Sequence, residues 1–189
     1  MRIGIDMDGC ITDIARFVAD YGAKFCYENN IKYTIKEDEY DESKALGISL
    51  EDTEKFWNEY LPYYSIEYNP REFAKEVIDK LKQNNEIYII TARNEEGLPP
   101  EYYGKMQELV RAWLKKYNIY YDRLIFTKGS KLPYCLENNI DIMIEDSPRN
   151  ILDIAQKIPV LCYDNPYNKN IEEKNIKRVY SWYDILSKI

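Results

Sequence analysis

Short apolar runs rich in Ile and Val recur along the chain, separated by segments whose apolar residues repeat at helical spacing. This alternation predicts an α/β fold with a mostly parallel sheet. The runs are RIGID at 2–6, IYIIT at 87–91, RLIF at 123–126, DIMIE at 141–145 and PVLCY at 159–163, with KRVY at 177–180 as a last strand. Between them, PREFAKEVIDKLKQN at 70–84 puts Phe73, Val77, Ile78 and Leu81 on one stripe of a helix. PPEYYGKMQELVRAWLKKYN at 99–118 turns Met106, Leu109, Val110, Trp113 and Leu114 inward in the same way. SPRNILDIAQK at 147–157 opens with Ser147 as N-cap and Pro148 at the first helical position.

The first two strands are about eighty residues apart, far more than one crossover helix needs. An insertion is therefore expected after the first strand. ITDIARFVADYGAKFCYENN reads as one helix, and SLEDTEKFWNEYL as another, with Ser49 and Asp52 forming a capping box ahead of Phe56, Trp57 and Tyr60. Residues 15–71 are expected to form a small helical cap, with 1–14 and 72–189 making the core.

Composition narrows the chemistry. The chain has 189 residues and is 45% hydrophobic, which suits one domain with a modest insertion. No apolar leader precedes the first strand and no run approaches the roughly 18 apolar residues that span a bilayer, so the expected location is cytoplasmic. Cys10, Cys26, Cys135 and Cys162 are scattered without a CxxC pair and read as reduced thiols. A net charge of −7 disfavours nucleic-acid polymers and anionic membranes. A small molecule is the expected partner, with a homodimer left open. There is no histidine, which removes Ser-His-Asp and Cys-His catalysis and every histidine-bearing metal site. Carboxylates must then move any protons.

The first strand delivers two of them. Asp6 and Asp8 are two apart and point to one face at the strand's carboxyl end if strand geometry persists, and Gly9 allows a sharp turn beside them. Two adjacent carboxylates need a cation or a shared proton, and hard oxygen ligands suit magnesium. An Asp-Gly turn capping the next helix explains the same residues. Three later strands shift the balance, because they end at the same edge in Thr91 with Arg93, in Thr127 with Lys128 and Lys131, and in Glu145 with Asp146. A carboxylate nucleophile, a second carboxylate, a hydroxyl, a fixed cation and a further acid fit phosphoryl transfer.

The order DxDG, Thr at a strand end, Lys and an acidic pair resembles the haloacid dehalogenase superfamily of phosphohydrolases. IDMDGCITD, IITAR and IMIEDSPRN are most similar to its deoxyribonucleotidase branch, the cytosolic type C 5′-nucleotidases and their bacterial relatives. The resemblance implies a three-layer Rossmann-like core and magnesium-dependent phosphomonoester hydrolysis through an aspartyl-phosphate. It implies that Asp6 attacks phosphorus, that Asp8 protonates the leaving oxygen and then activates water, and that the Asp8 carboxyl is raised in the loaded enzyme. It also implies that Thr91, with the backbone at Ala92 and Arg93, binds the phosphoryl oxygens. Magnesium would be held by Asp6, the backbone carbonyl of Asp8, and Asp146. Two features depart from the pattern. Glu145 stands where Asp is usual, leaving its role open between a water-bridged metal contact and another task. TKGSK offers both Lys131 and Lys128, and the turn at Gly129-Ser130 favours Lys131. Tyr63 and Tyr64 in LPYYSIEYNP are candidates for stacking on a pyrimidine, with helix packing as the alternative. Competing functions are a phosphatase of another small metabolite, a phosphorylation-dependent signalling domain and a protein-binding module. The motif order and the large early insertion argue against a receiver-type signalling domain.

Overall fold

The computed structural model describes residues 1–94 and 99–189. Six strands, β1 (Arg2–Ile5), β2 (Glu86–Thr91), β3 (Arg123–Phe126), β4 (Ile142–Glu145), β5 (Val160–Tyr163) and β6 (Ile176–Val179), form one sheet in the order β3-β2-β1-β4-β5-β6. Every pairing is parallel. All carboxyl ends therefore lie at one edge. The chain steps outward through β2 and β3 and then crosses to the other side of β1, so β1 and β4 flank the switch point where open parallel sheets bind ligands.

Alternation within the strands explains the layers. Ile87 and Ile89 of β2 join Ile3, Ile5, Ile144 and Leu161 on one face, while Tyr88 and Ile90 join Met143, Val160 and Cys162 on the other. The first face is covered by α5 (Ala74–Leu81), α6 (Met106–Lys116) and α9 (Trp182–Leu186), the second by α7 (Leu132–Glu137) and α8 (Pro148–Ile154). Gly4 sits where a Cβ would approach Met143 Sδ to 2.5 Å, so a side chain there would require the Met143 side chain to move.

The long connection after β1 folds on itself. It comprises α1 (Ile14–Phe17), a π-helical turn (Val18–Gly22), α2 (Ala23–Glu28), α3 (Glu42–Leu46) and α4 (Leu50–Ile66). These bury a cluster of their own, centred on Phe17, Phe25, Leu46, Phe56 and Tyr64. Its two ends meet at the sheet, where the Arg71 amide donates to the Ile11 carbonyl at 2.7 Å and Thr12 bridges Pro70.

Several helices differ from the pattern-based reading. Phe73 is not on the buried stripe of α5: it precedes the helix at φ +64°, is 53% exposed and lies edge-on to Tyr183, and Ala74 takes the inward place. The segment from 99 is a 3-10 turn (Pro100–Tyr102) followed by Gly104 at φ +76°, so α6 starts only at Met106, and Leu109 is partly buried. The capping box at α4 is one-sided: Ser49 Oγ caps the Asp52 amide at 3.1 Å and donates to the Asp52 carboxylate at 2.7 Å. That helix also runs on through Pro62 to Ile66. An interior proline costs about 3 kcal/mol, and burial of Tyr60 and Tyr64, at about 1.5–3 kcal/mol for a large side chain, offsets it. Ser147 occupies the N-cap of α8, yet its side chain makes no capping bond.

Candidate active site

β1 ends at Ile5, so strand alternation does not carry Asp8 onto the same line as Asp6. The Ile11 and Thr12 amides instead donate back to the Met7 carbonyl at 2.8 and 2.9 Å, folding residues 7–12 into a tight loop. The two carboxylates consequently meet different cations.

Asp6 is 5% exposed and its carboxylate accepts from Lys131 Nζ, which also donates to Glu145 Oε2 at 2.8 Å. Lys131 reaches inward because Gly129 turns at φ +77° and Ser130 is tied to Asp153 on α8, leaving Lys131 at the N-cap of α7. Lys128 does not join the site; it lies exposed on the loop. Glu145 Oε1 accepts the Asp146 and Ser147 amides at 3.1 and 3.0 Å. Both of its oxygens are thereby occupied, one anchoring the lysine and one the turn into α8.

Asp146 comes within reach of Asp6 because of Gly9. A Cβ on Gly9 would stand 1.8 Å from Asp146 Oδ2, and its φ of +94° suits glycine alone. Tyr167 donates to Asp146 Oδ2, and Asn168 Nδ2 donates to the Asp146 carbonyl at 2.8 Å. Burial first, then the Glu145 carboxylate, pushes the Asp6 carboxyl up to about 7 against the pull of Lys131. Burial, then Asp6 and Glu145, raises the Asp146 carboxyl well above its ordinary value. Three buried carboxylates thus face one ammonium. Ligand atoms of Asp6, Asp146 and Cys10 lie within 4.8 Å of one another. The two carboxylates suit a hard divalent cation, whereas the thiol is a soft donor.

Asp8 sits apart, against Arg93. The guanidinium grips it in a fork, Nη2 to Oδ1 at 2.7 Å and Nε to Oδ2 at 3.0 Å, and Tyr64 Oη donates to Oδ1 at 2.7 Å. Burial alone would raise this carboxyl, but the charge and hydrogen bonds of Arg93 and the Tyr64 hydroxyl outweigh it and hold it below the ordinary value. The raised Asp8 expected for the loaded enzyme concerns a different state; with Arg93 and Tyr64 on its carboxylate, Asp8 is held low. The Arg93 side chain is only 5% exposed, and its Nη1 has no hydrogen-bond partner among the described residues. Thr91 is fully buried behind the cleft wall, with Oγ1 accepting the Arg93 amide at 3.2 Å. Ala92 is exposed at the rim.

These groups open into a cleft of about 740 Å³ between the sheet edge and α4, bordered by Asp6, Asp8, Ala92, Arg93 and Lys131 on one side and Trp57, Asn58 and Leu61 on the other. The two tyrosines part company. Tyr64 borders the cleft but is 2% exposed, with Phe17 at 4.7 Å and the Arg93 guanidinium at 5.0 Å from its ring, so no face is open for stacking on a base. Tyr63, the next residue round the helix, points away and bonds the Tyr21 hydroxyl at 3.1 Å. Sequence reasoning missed Tyr167, Thr12 and the cleft residues Trp57, Asn58 and Asn150. The Asn-Pro turn after β5 was the one available signal for Tyr167.

The family model of the 5′ nucleotidase, deoxy (pyrimidine), cytosolic type C proteins matches residues 1–189. The chain belongs to this type C nucleotidase family. A nucleotidase from Clostridium acetobutylicum is 33% identical over 190 residues, covering 98% of this chain and 91% of that protein. A haloacid dehalogenase-like hydrolase from Streptococcus pneumoniae superposes with a TM-score of 0.67 at 12% identity, over 99% of this chain and 97% of its own. A D,D-heptose bisphosphate phosphatase from B. bronchiseptica, solved with magnesium and phosphate, gives a TM-score of 0.56 at 10% identity, over 99% and 96%. The type C nucleotidase chain thus has the Rossmann-like haloacid dehalogenase fold and is a phosphoric monoester hydrolase. No helix among its described residues is long and apolar enough to cross a membrane.

Proposed function

We propose that this nucleotidase is magnesium-dependent and hydrolyses (deoxy)nucleoside monophosphates through a phosphoryl group carried on Asp6. The observation that carries the reading is the separation of roles between two carboxylates two residues apart: Asp6 is paired with buried Lys131 beside Asp146, and Asp8 is paired with Arg93 at the cleft wall. Asp6 is the nucleophile, its charge balanced by Lys131 until phosphorus arrives. Thr91 Oγ1 and the backbone at Ala92 and Arg93 donate to phosphoryl oxygens. A buried donor without an acceptor costs about 1–3 kcal/mol, so Arg93 Nη1 is a ready site for one of those oxygens. Asp8 gives the leaving oxygen its proton and takes one from the attacking water. An anion that draws Arg93 away from Asp8 raises the Asp8 carboxyl toward the protonated form the first step requires.

Asp6, Asp146 and the Asp8 carbonyl are the residues that would hold magnesium, which supplies neutralisation of phosphoryl charge when bound. The cleft beyond the phosphoryl end suits a flat leaving group with polar edges, with Trp57, Leu61 and Met106 beside Asn58 and Asn150. Phosphate release from nucleoside monophosphates and sugar phosphates, with magnesium and with EDTA, tests the proposal. Magnesium-dependent release favouring deoxynucleoside monophosphates is the expected outcome. Release that persists in EDTA, or that favours sugar phosphates, would contradict it.

A further inference from the structure

The two oxygens of Asp8 are not equivalent. Oδ1 accepts from Tyr64 Oη at 2.7 Å and from Arg93 Nη2 and Nε at 2.7 and 3.1 Å, with Thr12 Oγ1 at 3.4 Å. Among the described residues Oδ2 accepts only the shared Arg93 Nε at 3.0 Å, so it is the oxygen with room for another partner. The Tyr64 hydroxyl is itself held 2.6 Å from Thr12 Oγ1, and its ring is wedged against Phe17 at 4.7 Å and Tyr68 at 5.4 Å. A ring so packed holds its hydroxyl in one place, because a phenol has no rotatable bond that moves its oxygen independently of the ring.

We propose that Tyr64 is a positioning residue for proton transfer: its hydroxyl pins Oδ1 and thereby assigns Oδ2 as the oxygen that exchanges the proton with substrate and water. The assignment rests on the phosphoryl-transfer reading. In the first step an Asp6 oxygen bonds phosphorus as the ester P–O bond breaks, and the proton on Asp8 Oδ2 moves to the departing oxygen to release an alcohol. In the second, water oxygen bonds phosphorus, a water proton moves to Oδ2, and the bond from phosphorus to Asp6 breaks. Arg93 can turn toward the phosphoryl group during this cycle, whereas Tyr64 stays. Because Tyr64 belongs to α4 and Asp8 to the loop after β1, the aim of Asp8 also depends on how α4 is seated over the sheet edge.

The test is Tyr64→Phe, which keeps the packed ring and removes only the hydroxyl. kcat/KM is measured for a nucleoside monophosphate, whose alkoxide must be protonated to leave, and for p-nitrophenyl phosphate, whose phenolate leaves without a proton. This ratio ends at alcohol release, so the water step does not enter it. The expected result is a loss of about tenfold or more on the nucleotide and less than about threefold on the aryl ester. Thr12→Val, which loosens the same hydroxyl, should show the same contrast at smaller size, and it carries the test should Tyr64→Phe fail to fold. Equal losses on both esters, or no loss on either, would overturn the assignment while leaving the phosphohydrolase reading intact. Wild-type protein that releases phosphate from neither ester would overturn both.

Discussion

Lys131 shows how much one side chain can carry. It is the sole cation in contact with Asp6 and Glu145 among the described residues, and all three are buried. Breaking a buried ion pair from one side costs about 3–5 kcal/mol, because the partner's charge is left uncompensated. Lys131→Met should therefore lower stability by about that amount in urea melts and abolish turnover, while Lys128→Met should leave both near wild type. Asp8→Asn should stop release of phosphate from nucleotides and also lower stability, by less than Lys131→Met, since Asp8 itself is 24% exposed but its loss leaves the 5% exposed Arg93 guanidinium without a carboxylate. The sequence allowed Lys131 and Lys128 to be compared only through the turn between them. It could not show that Glu145 uses both oxygens internally, because the second of these contacts is to amides one and two residues further on, in a turn whose shape no spacing rule specifies.

Elements were legible where periodicity alone decides them and illegible where packing overrides it. The strands fall within a residue of their apolar runs because buried parallel strands must be apolar on both faces. Tyr63 and Tyr64 illustrate the reverse. Adjacent residues on a helix point about 100° apart, and only the seating of α4 on the sheet edge determines which one meets Asp8. Phe73 misled for a related reason, since its left-handed backbone, uncommon for a side chain of that size, ends the chain's approach to α5 one residue later than the stripe implies. The loop after β1 yields a prediction of its own. Gly9→Ala places a methyl group on the Asp146 carboxylate in a backbone conformation that costs about 1–2 kcal/mol, so it should weaken magnesium binding by isothermal calorimetry far more than it lowers the melting temperature.

At the scale of the whole molecule, the acidic hole at the sheet edge couples metal, protons and stability. Asp6 is raised to about 7, and the stability such a raised carboxyl contributes is fully present below its unfolded value and is lost as pH climbs through about 7. The metal-free protein should accordingly lose melting temperature between about pH 4 and pH 7, and Asp6→Asn should reduce that slope. Magnesium competes with those protons, so its affinity should rise with pH over the same interval, with protons released on binding in buffers of different ionisation enthalpy. A melting temperature independent of pH in the metal-free wild type would show that Asp6 is already ionised against Lys131. The central claim, that Asp6 carries the phosphoryl group, is tested most directly by trapping it. Asp8→Asn mixed with p-nitrophenyl phosphate and magnesium, quenched in acid, reduced with borohydride and mapped by mass spectrometry, should show homoserine at position 6 and at no other acidic position. Reduction products at Asp146 or Glu145, or a burst of nitrophenol with no modified peptide, would contradict the account.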